Sequence, residues 1–235
     1  MKRFISIFFL IFIHFTLAYG DDAREGWNTG EIVAEQLIEK SGVDKWFSES
    51  EISDEVFARI NGKSWRNGAP ERKELRYLRV LHRDADENIR IGELICNKLI
   101  SSDLLEIFRA LYEASYPIER IELIDNYNGD DELSMEVNNT SAFNYRKVAG
   151  SAKLSAHALG MAVDINPKYN PEVKGRPGSL RIRPAGGKNY ADRSKQFRYK
   201  IDRGDLCHRL FKSRGFSWGG DWRSSKDYQH FEKKM

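Results

Sequence analysis

The residue types that chemistry needs gather in three segments of this 235-residue chain. The first runs Ser155-Ala156-His157-Ala158-Leu159-Gly160-Met161-Ala162-Val163-Asp164. The second is Gly219-Gly220-Asp221-Trp222, followed by Asp227-Tyr228-Gln229-His230-Phe231-Glu232. The third is Asn138-Asn139-Thr140-Ser141-Ala142-Phe143-Asn144-Tyr145-Arg146. His157 precedes a turn of small residues. Asp164 stands between Val163 and Ile165, where a carboxylate is costly to bury unless it is paired or holds a metal. His230 sits beside Phe231 on a short strand. Two imidazoles and one carboxylate make a zinc set of the catalytic type, with a fourth position left for water. Asp227, three residues before His230, could take a proton from that water without binding the metal. Spacing alone leaves a plainer alternative open. A buried Asp more often pairs with Arg or backbone amides, and a His on a strand is more often a satisfied core residue.

These residues fill a known pattern. The chain resembles the zinc D-Ala-D-Ala carboxypeptidases, which include vancomycin-resistance dipeptidases and phage L-alanyl-D-glutamate endopeptidases. The family pattern is S-x-H-x-x-G-x-A-x-D, then a later D/E-x-x-H. Ser155, His157, Gly160, Ala162 and Asp164 fill the first part, and Asp227 and His230 the second. The resemblance covers roughly residues 104–232 and is less distinct over 21–100. It implies that His157, Asp164 and His230 hold zinc and that Asp227, where several members carry Glu, is the catalytic base. It implies that Arg146 holds a substrate carboxylate or polarises the scissile carbonyl, and that Ser155 helps to position the substrate. The fold it implies is the compact α+β fold shared with the Hedgehog signalling domain, a central antiparallel sheet carrying the site between flanking helices.

The activity implied is hydrolysis of peptidoglycan stem peptides by a metal-activated water, with the oxyanion stabilised electrostatically by the metal and Arg146. Removal of a terminal D-alanine is the first reading, because Arg146 suits a free carboxylate. Cleavage within the stem, of the L-alanyl-D-glutamate type, is the alternative. A non-catalytic zinc-containing wall-binding or signalling module on the same fold is another, and Asp227 argues against it, since binding needs no base. The sequence has no G-x-S-x-G elbow, no phosphate-binding glycine loop and no H-E-x-x-H helix.

The elements that must position these residues read as an α+β mixture without βαβ alternation. A helix is predicted from Gly30 to about Lys40, with Ile32, Val33, Leu37 and Ile38 on one face. A second follows Ser53, with Asp54 and Glu55 in its first turn and Gly62 at its end. Residues 76–82 and 89–95 alternate as a β-hairpin around the polar stretch 84–88. Leu104–Ala114 is a strongly amphipathic helix stopped by Pro117. A short strand spans 121–124, and 127–144 reads as a long irregular loop of the kind that carries function. Met161–Ile165 is a buried strand, and 202–214 a final helix closed by Gly215. Short strands at 216–218 and 229–232 flank the Gly-Gly loop. The stretch 168–203 holds eleven Lys or Arg against three acids. Such a run usually just faces water, and its functional reading is attraction to anionic wall polymers or stem-peptide carboxylates.

Composition sets the setting. Lys2 and Arg3, the apolar run Phe4–Leu17 and Ala18-Tyr19-Gly20 read as a cleaved secretory signal over residues 1–20. The chain then divides into N-terminal helices and hairpin over 21–100, packed on a catalytic domain over 101–235. An exported protein, periplasmic or extracellular, is expected to meet peptidoglycan peptides and not nucleic acid, to be a monomer and to have no stable membrane insertion. Without Lys2 and Arg3 the chain carries 36 basic and 35 acidic residues, a balance that points to no charged partner. Cys96 and Cys207 could form a disulfide in an oxidising compartment, or be buried thiols. His82 and His208 are expected to be structural. Trp218 and Trp222 flank Gly219-Gly220, where each could wall a cleft or fill the core, and Trp222 is counted with the substrate-binding residues.

Overall fold

A computed structural model describes residues 28–148, 150–176 and 178–234. The expected export signal lies outside them. Residues 31–33 run beside the hairpin, after a turn at Gly30. The Gly30 N–H donates to the Ile91 carbonyl and the Val33 N–H to the Ile89 carbonyl, both at 2.8 Å, and Ile32 bridges Arg90. That pairing holds the backbone out of the helical region, so helix α1 (Glu35–Ser41) begins five residues later than the apolar spacing predicts.

Strand β1 (Ser48–Glu51) leads into helix α2 (Asp54–Ile60), whose N-cap Ser53 accepts from the Val56 N–H at 3.2 Å. Strands β2 (Leu75–Arg83) and β3 (Ile89–Asn97) form the hairpin, and β1 pairs with β2 at its edge. Both hairpin faces are covered. Leu78, Val80, Leu94 and Cys96 face helix α3 (Ser101–Glu113), whereas Leu75, Tyr77 and Ile95 face α2 and Phe143. With both faces covered, polar positions of the alternating pattern such as His82 and Glu93 are buried as well. Helix α3 turns Leu104, Ile107, Phe108 and Leu111 inward at the three-and-four spacing of an amphipathic helix.

The stretch 127–144, expected to be irregular, contains helix α4 (Asp131–Glu136) and strand β5 (Asn139–Thr140), which runs parallel to β4 (Arg120–Ile121). Asp130 caps α4 by accepting from the Glu132 and Leu133 N–H groups, and this local bond overrides the polar composition. Strand β6 (Ala162–Asp164) follows. The basic stretch is no plain solvated loop: it folds into strands β7 (Glu172–Arg176) and β8 (Ser179–Arg183). Helix α5 (Leu206–Ser213), N-capped by Asp205, precedes β9 (Ser217–Trp218), β10 (Ser225–Asp227) and β11 (His230–Glu232).

The expected central sheet is divided. Three small antiparallel sheets, β1-β2-β3, β10-β7-β8 and β6-β11-β9, stand beside the parallel β4–β5 pair. Strands β4, β5, β6, β9, β10 and β11, of two or three residues each, cannot extend one sheet across the molecule, so side-chain packing joins the pieces. The largest core cluster combines hairpin residues with α3, β6, α5 and β11, and so draws on both sides of residue 100. Cys96 and Cys207 both lie in this cluster as free, buried thiols, which settles the pairing question against a disulfide. Phe211 of α5 stacks on Phe231 at 4.2 Å. That contact fixes the inner face of β11 and leaves His230 and Glu232 on the other.

Candidate active site

Each of the three candidate ligands is placed by a different local device. His157 sits in a single 3-10 turn, Ala156–Leu159, whose N-cap Ser155 accepts from the His157 N–H through Oγ at 3.3 Å. Gly160 ends the turn in the left-handed region at φ 69°, and a Cβ there would lie 2.6 Å from the Asn97 nitrogen. Only glycine meets both demands. Asp164 ends β6 directly opposite His230 of β11, so their side chains are cross-strand neighbours. The segment before Arg146 runs along β6 through the Ser141–Asp164 bridge and brings the Ala142 carbonyl up to His157.

The result is a triangle of acceptor atoms. His157 Nε2 lies 3.1 Å from His230 Nδ1, and Asp164 Oδ1 lies 3.2 Å from the first and 3.0 Å from the second. The other nitrogen of each ring is taken up. His157 Nδ1–H donates to the Ala142 carbonyl at 2.6 Å, and His230 Nε2–H to Glu232 at 3.3 Å. These bonds select the tautomers that turn two lone pairs toward Asp164. Three acceptors in mutual contact repel one another unless a cation lies among them. The set grips a proton strongly: burial lowers the His230 pKa, but hydrogen bonds to Asp164 and Glu232 outweigh it and raise it to about 10. Burial likewise works against the Asp164 carboxylate, and the two histidines overcome it and hold it ionised well below the usual range. A tetrahedral ion with bonds of about 2.0–2.1 Å spaces its ligand atoms roughly 3.3 Å apart, close to the spacing here. Among the described residues, His157, Asp164 and His230 form the one group able to hold a metal in this way. An N2O donor set suits imidazole-binding transition metals better than calcium or magnesium.

Asp227 ends β10 and lines the same cleft. Its Oδ1 is fully enclosed and has no hydrogen-bond partner. Burial, with the Asp164 charge added, pushes its pKa up to about 7, where a group can both take and give a proton near neutrality. Gly219 makes room for it: a Cβ there would sit 2.4 Å from the Asp227 carbonyl oxygen. Arg146 lines the cleft, ion-paired through Nε to Asp131. Its two terminal nitrogens find no partner among the described residues. Trp222 packs on His230 with ring centroids 5.3 Å apart. Ser155 is buried at the cleft, where its visible task is to cap the His157 turn.

Residues 149–233 match the family model described as D-alanyl-D-alanine carboxypeptidase. The resemblance carried by the motif is thereby shown, and it supports a peptidase. The matched stretch holds every residue of the triangle, with Asp227, Ser155 and Trp222, while Arg146 lies just ahead of it. No curated protein and no solved structure matches the chain.

The cleft also contains residues outside the motif. Glu232 supports His230, and its signal was the H-x-E spacing, since alternate residues of a strand share a face. Glu172, Lys174, Arg181 and Arg183 line the cleft from β7 and β8, and Met135 and Gln229 also line it. The other residues singled out lie apart from the triangle. Trp218 is core, its Nε1–H donating to the Tyr228 carbonyl at 2.9 Å. His82 and His208 are buried, the first bonded to the Ile118 carbonyl at 2.7 Å and the second accepting from the Gly204 N–H.

Proposed function

We propose that the protein is an exported, zinc-dependent peptidase that hydrolyses peptidoglycan stem peptides, with a terminal D-alanyl-D-alanine bond as its substrate. The convergence of three acceptor atoms within 3.0–3.2 Å, with Asp227 on the same cleft, carries this reading. The cleft, of about 150 Å³, has room for several waters. His157, Asp164 and His230 would hold the ion. Zinc in such a site supplies Lewis acidity that makes water a nucleophile near pH 7 and polarises the scissile carbonyl.

The remaining work falls to the chain. Asp227 accepts the water's proton and passes it to the leaving amine, so no covalent acyl-enzyme forms. Asp131 orients Arg146, and the free terminal nitrogens of that guanidinium receive the substrate's end carboxylate in a fork. Trp222 walls the cleft against His230, and Ser155 holds the His157 turn at its floor. Export rests on the basic and apolar pattern of residues 1–20. No helix among the described residues is long and apolar enough to cross a membrane.

Digestion of purified muropeptides, with products weighed by mass spectrometry, tests the reading. Loss of one alanine, abolished by a chelator and restored by zinc, is expected. Release of whole peptides would make the enzyme an endopeptidase, and no cleavage with zinc present would overturn the proposal.

A further inference from the structure

The sheet β10-β7-β8 forms one wall of the cleft, and its register arranges the wall in rows. Asp227, Glu172 and Arg183 are neighbours across the three strands. Ser225, Lys174 and Arg181 make the next row. Alternate residues share a face, so both rows look into the cleft, which Lys174 and Arg181 line together with the first row.

The rows differ in how their charges are met. In the first, Arg183 is paired with Glu132 at 3.3 Å. In the second, two cations stand directly opposite each other. Lys174 and Arg181 are exposed, and neither has an ion pair or hydrogen bond among the described residues. Like charges directly opposed destabilise a strand pair. The nearest carboxylate on this face, Glu172, stands in the neighbouring row beside Asp227. An anion seated between the two side chains would offset the repulsion and use both donors at once.

We propose that Lys174 and Arg181 form a second carboxylate subsite, which reads an acidic group of the peptide away from the scissile bond. From strand spacing and rise, the two residues stand about 8 and about 12 Å from Asp227 along the wall. An extended peptide covers that span in about three residues. The subsite is separate from Arg146, and it rests on the peptidase reading for the identity of the ligand as a peptide.

Paired synthetic peptides ending in D-alanyl-D-alanine test it, identical except for a carboxylate or its carboxamide at the third residue before the bond. Binding is read by fluorescence anisotropy in the Asp227→Asn protein, with and without K174Q/R181Q, and cleavage is read in the wild type. The carboxylate peptide is expected to bind roughly tenfold tighter, with the preference shrinking as salt rises from ~0.05 to ~0.5 M. K174Q/R181Q should bind both peptides alike. Lys174→Arg, which keeps the charge, should keep the preference. Both side chains are free and exposed, so the double variant is expected to fold with no loss in Tm. A preference that survives K174Q/R181Q, no preference in the parent, or no binding of either peptide overturns the subsite. Equal cleavage of both peptides by the wild type refutes the subsite and leaves the peptidase reading standing. Charge-dependent binding with no cleavage in zinc does the reverse.

Discussion

Substitution of Gly160 by alanine should loosen the site without touching a ligand. Gly160 closes the His157 turn at φ 69°, a conformation that costs an alanine about 1 kcal/mol. The added Cβ would lie 2.6 Å from the Asn97 nitrogen and 3.1 Å from the Cys96 carbonyl carbon. Both are backbone atoms at the end of a nine-residue strand, so they cannot swing aside as a side chain would. The turn must instead retreat by most of an ångström. That movement stretches two hydrogen bonds that strap it to β3: the Asn97 N–H to the Gly160 carbonyl at 2.9 Å, and Asn97 Nδ2 to the Leu159 carbonyl at 3.1 Å. Each is worth about 1 kcal/mol net. A loss of about 2–4 kcal/mol follows, or roughly 5–15 °C in Tm for a domain of this size. Because His157 rides on the same turn, zinc affinity should fall in parallel. Calorimetry with and without zinc, joined to a chelator competition, reads both effects. A Tm within about 2 °C of wild type, with metal affinity unchanged, would refute this account of how the turn is held.

Four further outcomes are expected. Glu232→Gln should retain the fold and weaken zinc about tenfold, at the lower end of the range for a ligand's supporting group, because the bond to His230 is long at 3.3 Å; chelator competition measures it. Asp227→Asn should bind zinc at wild-type stoichiometry while peptide turnover falls at least about 100-fold, read by single-turnover kinetics. His82, whose pKa burial lowers to about 4, stays neutral in the fold while the unfolded chain protonates near 6.5. Its contribution is therefore complete above pH 6.5 and lost as pH falls to 4; His82→Asn should flatten that part of the stability profile in denaturant titrations at stepped pH. Cys96 and Cys207 should resist alkylation until the protein unfolds, with both thiols then labelled and no change in mass on reduction.

How far the sequence could be read follows from where the information is stored. The hairpin, α2 and α3 were legible because periodicity and the Ser53 cap are local. The convergence of His157, Asp164 and His230 could be anticipated for a related reason: a carboxylate between Val163 and Ile165, and a histidine beside Phe231, are out of place unless something compensates. The late start of α1 was not legible, because it depends on residues 30–33 pairing with β3, some sixty residues away. Strands β7 and β8 hid in charged, exposed sequence, and their pairing with each other, and of β7 with β10 beside Asp227, organises them. Helix α4 could have been found, since Asp130 followed by Asp131 and Glu132 is a cap with an acidic first turn. Arg146 matched the motif, but its tie to Asp131 could not be foreseen from spacing.

X-ray absorption at the zinc edge, on protein reconstituted with one equivalent of zinc, bears most directly on the central claim. Two imidazoles in a shell of nitrogen and oxygen ligands at about 2.0–2.1 Å are expected, reduced to one imidazole in His157→Ala. A sulfur ligand near 2.3 Å, or a spectrum unaltered by that substitution, would contradict it.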